Sequence, residues 1–255
     1  MQVSLGNQVA VVTGGSRGIG AATVKLLAQS GAKIAFSYRQ ASAAAREVIQ
    51  CCGPHAPNVV AVRADVSRMA DARRLIAEAV LRFKRLDILV ANAGIWNEEP
   101  TPIERLSEPQ WDEMMAINLK GVYSVIHYAV PHMMKRKSGR VIVVSSTAGQ
   151  RGEAFHTHYG ASKGGVISLV KGLSTELAPH GILVNCVAPG WVDTDMAASV
   201  TRNRREFRKA VATIPLRRFA RPEEIATPIL FLASNMASYI TGEILNVNGG
   251  NVLCG

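Results

Sequence analysis

The stretch Val9-Ala10-Val11-Val12-Thr13-Gly14-Gly15-Ser16-Arg17-Gly18-Ile19-Gly20 decides the fold class. An apolar, β-branched run enters a glycine turn, and a helical pattern leaves it, reaching to about Ser30. Strand, glycine turn and helix in that order let the backbone turn sharply and come close to a phosphate. The helix then offers free N–H groups and its positive dipole end to the anion. The spacing is Gly14-x-x-x-Gly18-x-Gly20 rather than Gly-x-Gly-x-x-Gly. Gly14, Ser16, Arg17, Gly18, Ile19 and Gly20 are therefore candidate cofactor-binding residues.

Outward from the loop, short apolar runs recur at Val9–Thr13, Lys33–Ser37, Val59–Arg63, Asp87–Ala91, Arg140–Ser145, Leu183–Ala188 and Ile244–Val247. They are near-continuously apolar, as strands buried on both faces of a parallel sheet are. Helix-length segments lie between them, among them Ile19–Ser30, Arg68–Phe83 and His158–Ala178, and Gly31 stands where a helix C-cap glycine belongs. This rhythm predicts an α/β fold. We expect one Rossmann domain over residues 1–255, with a doubly wound parallel sheet of about seven strands and helices on both faces. One excursion breaks the rhythm. It opens at Pro189-Gly190-Trp191 and returns only before the helix of Glu223–Ala233, so a substrate lid is expected at about 191–221.

Composition narrows the class further. The 255 residues are 48% hydrophobic and 19% charged, an ordinary globular mixture. No apolar run approaches the roughly 18 residues of a membrane span, and Met1–Gln8 has neither the basic nor the apolar region of a secretory signal. Cys51, Cys52, Cys186 and Cys254 have neither metal-site nor disulfide spacing, and Cys254 is too near the end for a prenylation box. A cytoplasmic protein with no metal and no membrane partner is the expectation. Lys and Arg number 29 against 19 Asp and Glu, a net charge of +10. A solvated basic surface, nucleic acid, an anionic membrane surface and an acidic substrate are the readings this charge allows.

A dinucleotide site usually carries an acid about 20 residues beyond the loop to hold the adenosine ribose. Here no acidic residue precedes Glu47, and the second strand ends Phe36-Ser37-Tyr38-Arg39. An Arg at that place, with Arg17, favours a 2′-phosphate and hence NADP(H), because a guanidinium pairs with phosphate through two hydrogen bonds. The plain alternative for Arg39 is a solvated turn residue. Farther on, Tyr159 and Lys163 are four apart at the start of a helix and so share a face. A phenol ordinarily titrates near about 10. A neighbouring ammonium lowers that value, and such a Tyr can pass a proton to or from a carbonyl oxygen.

Taken in order, these motifs resemble the short-chain dehydrogenase/reductase family along nearly the whole chain. The matching stretches are Thr13–Gly20, Asp65, Asn92-Ala93-Gly94, Asn118, Ser146, Tyr159 with Lys163, and Pro189-Gly190. The resemblance implies that Tyr159 is the acid/base and that Lys163 lowers its pKa and holds the nicotinamide ribose. It implies that Ser146 hydrogen-bonds the substrate oxygen, and that Asn118 holds a relay water. It also implies that Asp65 and Val66 lie by the adenine, that Asn92, Ala93 and Gly94 pass under the cofactor, and that Pro189, Gly190, Val192 and Thr194 frame the carboxamide. Ser145 adjoins Ser146 and is its rival on residue type alone.

Within the family, Ala188–Met196, Ile214–Phe219, Arg221–Ala226 and Ile240–Gly250 resemble the 3-oxoacyl-(acyl carrier protein) reductases, although sugar and alcohol dehydrogenases share these motifs. An acyl-thioester or other small carbonyl substrate is the implied class, with a sugar or secondary-alcohol dehydrogenase as the alternative. A nucleotide-sensing or nucleic-acid-binding protein on the same fold is the remote one, since a sensor has no need of the catalytic set. Trp96, Trp191 and His156 are candidate substrate contacts, with His158 a second loop histidine; each has a packing alternative. Arg202, Arg204, Arg205, Arg208 and Lys209 in the excursion, and Lys135, Arg136, Lys137 and Arg140 before the fifth strand, offer a surface for an acidic carrier protein. Similar proteins are homotetramers, and the apolar tail Val247, Val252 and Leu253 fits burial near a neighbour.

Overall fold

The computed structural model describes residues 3–253; Cys254 lies outside them. Seven parallel strands form one sheet in the order β3-β2-β1-β4-β5-β6-β7. They are β1 (Val9–Val12), β2 (Lys33–Tyr38), β3 (Val59–Arg63), β4 (Ile88–Ala91), β5 (Gly139–Val144), β6 (Ile182–Pro189) and β7 (Ile244–Val247). The helices are α1 (Gly18–Gln29), α2 (Ser42–Cys51), α3 (Met69–Phe83), α4 (Glu108–Met115), α5 (Gly121–Arg136) and α6 (Ala148–Arg151). They continue with α7 (Thr157–Leu177), α8 (Ala198–Arg202), α9 (Arg204–Ala212) and α10 (Pro222–Ala233). The fold is the doubly wound Rossmann type, and the expected strand runs agree with it to within a residue or two at each end.

Alternate residues of each strand supply two cores. Ala10, Val12, Ile34, Phe36, Ile88 and Val90 pack with α1, α2 and α10 on one face. Val11, Ala35, Leu89 and Ala91 pack with α3, α5 and α7 on the other. That is why the strands read as unbroken apolar runs instead of alternating ones. Gly31, at φ +90°, turns the chain out of α1 in a conformation that favours glycine. The chain reverses its winding between β1 and β4, which sit side by side. The crevice at their carboxyl ends is where such sheets bind ligands.

The excursion between β6 and α10 is closed at its base. Val192 bridges Ala220, with Asp193 N donating to Ala220 O at 2.9 Å and Ala220 N to Trp191 O at 2.9 Å. Above that base, Ala197, Ile214 and Phe219 form a small core of their own, packed with Trp191, Val200 and Phe207. Among the described residues no helix is long and apolar enough to cross a membrane.

Candidate active site

A cleft of about 910 Å³ runs across the carboxyl ends of the strands. Its floor is the glycine loop. Gly14 and Gly18 have φ of +66° and +53°, which L side chains rarely adopt. A Cβ on Gly20 would collide with Gly14 O, so the helix can approach the loop this closely only with glycine there. No side chain caps the start of α1, which leaves its first-turn N–H groups to a ligand. Two residues to which the sequence assigned no site role hold the loop. Thr13 Oγ1 accepts from Asn92 N and Ala93 N at 3.0 Å each, and Ser37 Oγ accepts from Gly14 N at 3.1 Å. Only strand register could have revealed them.

Ser146, Tyr159 and Lys163 line the same cleft, one from the end of β5 and two from α7. The Ser146 hydroxyl faces that of Tyr159 and favours its phenolate, and it accepts from Ala148 N at 3.1 Å. Ser145 is spent elsewhere: its buried hydroxyl donates to Lys163 O at 2.9 Å. Lys163 Nζ donates to Val144 O at 2.9 Å and stands 6.0 Å from the Tyr159 ring centroid. Burial pushes Lys163 down to about 8. Tyr159 departs from the expected direction. Burial pushes its phenol above the ordinary value, and the Ser146 hydroxyl offsets that only partly. Desolvation of the phenolate outweighs any help from a lysine whose ammonium is turned to a backbone carbonyl.

Asn118 is not on the cleft wall. It sits, fully buried, in a π-helical turn over Ala116–Lys120 that joins α4 to α5. Its Oδ1 accepts from Ile95 N at 2.8 Å, and its Nδ2 donates to Ile95 O at 2.9 Å and to Ser162 Oγ at 3.2 Å. A Cβ on Gly94 would come within 3.2 Å of Asn118 Oδ1 and 3.4 Å of Lys163 Nζ. The asparagine thus braces the loop after β4 from behind.

The other expected residues converge on the cleft. Tyr38, Arg39, Asp65 and Val66 line one end, Asn92, Ala93 and Gly94 the middle, and Pro189, Gly190, Val192 and Thr194 the far wall. The Asp65 carboxylate accepts from Ser67 N at 3.0 Å and Ser67 Oγ at 2.7 Å. Arg17 reaches across the mouth, its guanidinium 3.8 Å from Asp195 of the excursion.

Trp96, Trp191 and His156 line the end beyond Tyr159. Trp96 lies 4.9 Å from the His156 ring and meets Trp191 edge-on at 6.1 Å. Trp191 stacks on Phe219 at 5.3 Å, and Phe207 meets Phe219 at a tilt, 5.0 Å away. Aromatic side chains thus tie the excursion to the loop after β4. Burial, helped by His158, lowers the His156 pKa, and its Nδ1 lies 3.2 Å from Asn97 Oδ1. His158 is buried away from the cleft, and its Nδ1 has no hydrogen-bond partner among the described residues. The two basic clusters are separated. The one on α9 flanks the cleft, although Lys209 is paired with Glu206 at 2.9 Å. Lys135, Arg136, Lys137 and Arg140 sit at the amino end of β5, roughly 20 Å along the strand from Ser146. Within this chain they do not border the cleft mouth, because a strand carries its two ends to opposite edges of the sheet.

A family model described as enoyl-(acyl carrier protein) reductase matches residues 14–251. The chain is 39% identical over 241 residues to 3-oxoacyl-(acyl carrier protein) reductase FabG of Staphylococcus aureus, covering 94% of this chain and 96% of that one. It is 40% identical over 252 residues to the acetoacetyl-CoA reductase of Synechocystis sp., covering 98% and 99%. Among solved structures, the crystal structure of gox2181 matches with a TM-score of 0.93 at 31% identity, covering 98% of this chain and 97% of that one. Since these matches run from the glycine loop to the last strand, the chain belongs to the short-chain dehydrogenase/reductase family.

Proposed function

We propose that this protein reduces the 3-oxo group of an acyl thioester to a secondary alcohol, with NADPH as reductant. The observation that carries the reading is the meeting of Ser146, Tyr159 and Lys163 on one cleft with a glycine loop at its floor and an aromatic wall beyond. The names of the reductase relatives supply the substrate class. A tight loop that only glycines can form, free N–H groups on α1 and the arginine beyond β2 fit a phosphorylated dinucleotide. When bound, the nicotinamide supplies hydride to the carbonyl carbon.

The chain supplies the rest. Tyr159 gives its proton to the carbonyl oxygen, and its raised pKa keeps that proton in place at neutral pH. The Ser146 hydroxyl donates to the same oxygen, where negative charge develops. Lys163 holds the ribose of the nicotinamide and, as a cation, favours the phenolate left behind. Asn118 acts as a positioning residue, through Ile95 and Gly94. Asp65 and Val66 flank the adenine, and Pro189, Gly190, Val192 and Thr194 frame the carboxamide. Residues 1–255 act as one domain whose segment 191–221 is the lid. The aromatic lining of Trp96 and Trp191 suits an acyl group better than a polyol, which favours this reading over a sugar dehydrogenase. The working form is a cytoplasmic homotetramer that receives its substrate on an acidic carrier.

The test is NADPH consumption with acetoacetyl-CoA, crotonyl-CoA and a diketone, alongside NADP+ reduction with a panel of sugars and secondary alcohols. Fastest turnover on acetoacetyl-CoA is the expected result. A preference for crotonyl-CoA would move the assignment to an enoyl reductase. Activity confined to sugars or simple alcohols would move it to the dehydrogenase reading.

A further inference from the structure

Beside the cleft, and opening into it, lies a second cavity of about 690 Å³. Arg39, Gln40 and Asp65 line both. The rest of its wall is Arg63 at the end of β3, Arg68 just before α3, and Asp71 and Arg74 in the first turns of α3. Four guanidinium groups therefore face two carboxylates. Asp71 accepts from Arg74 Nη2 at 2.8 Å and from Asp65 N at 2.9 Å, and Asp65 is occupied by Ser67. Arg39, Arg63 and Arg68 have no ion-pair partner among the described residues. Arg63 does one further thing: its Nε donates to Arg39 O at 3.3 Å, which ties the chain after β2 to the end of β3. Register explains the meeting, since Arg63 pairs with Tyr38, the residue before Arg39.

Three guanidinium groups without an ion pair, in a wall whose four arginines outweigh its two carboxylates by two charges, make a site for an anion with more than one negative charge. The cavity joins the cleft at Arg39 and Asp65, so the anion that fits it is one carried by the molecule in the cleft. We infer that Arg63 and Arg68, together with Arg39, grip the 2′-phosphate of the cofactor and share the discrimination against NADH. The inference rests on the NADPH reading above. Arg17 lines the cleft but not this cavity, and faces Asp195 at 3.8 Å. A shared grip has a consequence: no single substitution abolishes the preference, since the remaining guanidinium groups still hold the phosphate.

The experiment is calorimetric binding of 2′,5′-ADP and of 5′-AMP, which need no turnover. The proteins are the wild type, Arg39→Gln, Arg63→Gln, Arg68→Gln and the triple variant, each checked for its melting temperature. Each single change should weaken 2′,5′-ADP by about three- to tenfold and the triple by about a hundredfold or more, while 5′-AMP moves less than about twofold. Arg68 makes no bond to Arg39, so Arg68→Gln reports direct contact where Arg63→Gln also loosens the Arg39 backbone. If Arg63→Gln does not fold, Arg68→Gln decides alone. A wild type that binds both ligands equally overturns the NADPH reading itself. A wild type that prefers 2′,5′-ADP, with Arg39→Gln the sole damaging change, overturns this inference and leaves that reading standing. Equal loss for both ligands means a diffuse field rather than a phosphate grip, and overturns the inference as well.

Discussion

At the scale of single residues, Ser145 and Ser146 are chemically identical neighbours with opposite surroundings. Ser145 is buried and donates to Lys163 O, whereas Ser146 faces Tyr159 on the cleft. Ser146→Ala should lower kcat by about 10²–10³-fold at unchanged melting temperature, since it removes a donor aimed at developing charge. Ser145→Ala should instead destabilise the fold by about 1 kcal/mol, because it deletes a buried hydrogen bond. Kinetics and thermal melts on the pair read the two outcomes apart. Tyr159→Phe keeps the ring and removes the proton, so turnover should fall by about 10²–10⁴-fold with cofactor affinity retained in a binding titration. Lys163 sets the pH response. Its pKa is pushed down to about 8 by burial, so its charge is present below that pH and lost above it. The kcat/KM for NADPH, which reports groups of the free enzyme, should be flat at lower pH and fall above about 8. A profile that rises through this range would show that the neutral amine is the active form.

At the scale of elements, the π-helical turn supports the site from behind its wall. It places Asn118 so that both bonds to the Ile95 backbone close. Such turns cost regular hydrogen bonds and concentrate at functional places. Asn118→Asp keeps the acceptor for Ile95 N but loses the donor to Ile95 O, whereas Asn118→Ala loses both. Each buried group left unpaired costs about 1–3 kcal/mol. The melting temperature should therefore be highest for the wild type, lower for Asn118→Asp and lowest for Asn118→Ala, with turnover following the same order as the loop after β4 loosens. The strands were legible from the sequence because burial on both faces leaves an unbroken apolar run, and the glycine loop because three glycines at its spacing have few other uses. The π-turn was not: Met115-Ala116-Ile117-Asn118 reads as ordinary helix, and the extra residue per turn shows only in the hydrogen bonds. Arg63 and Arg68 were equally hidden, since their value depends on the register of β3 against β2. The aromatic contact of Trp96 with Trp191 joins residues that only the tertiary fold brings together.

At the scale of the whole molecule, a net charge of +10 must act on whatever approaches the cleft. Of the basic residues in the excursion, Lys209 is neutralised by Glu206, while Arg204, Arg205 and Arg208 are exposed on α9 at the cleft's flank. Exposed charge of this kind contributes little to the strength of a docked complex, but it raises the rate of encounter with an anion. Salt screens that effect, with a Debye length of about 8 Å at physiological ionic strength. Neutralising Arg204, Arg205 and Arg208 to Gln together should therefore raise KM for a carrier-linked 3-oxoacyl substrate at low salt by about tenfold, leave kcat unchanged, and leave a small neutral ketone unaffected. Added salt should raise the wild-type KM for the carrier-linked substrate until it meets that of the variant. A wild-type KM for the carrier-linked substrate that ignores salt would mean that these arginines only solvate the helix, and the acidic carrier would then lose its support as the delivering partner.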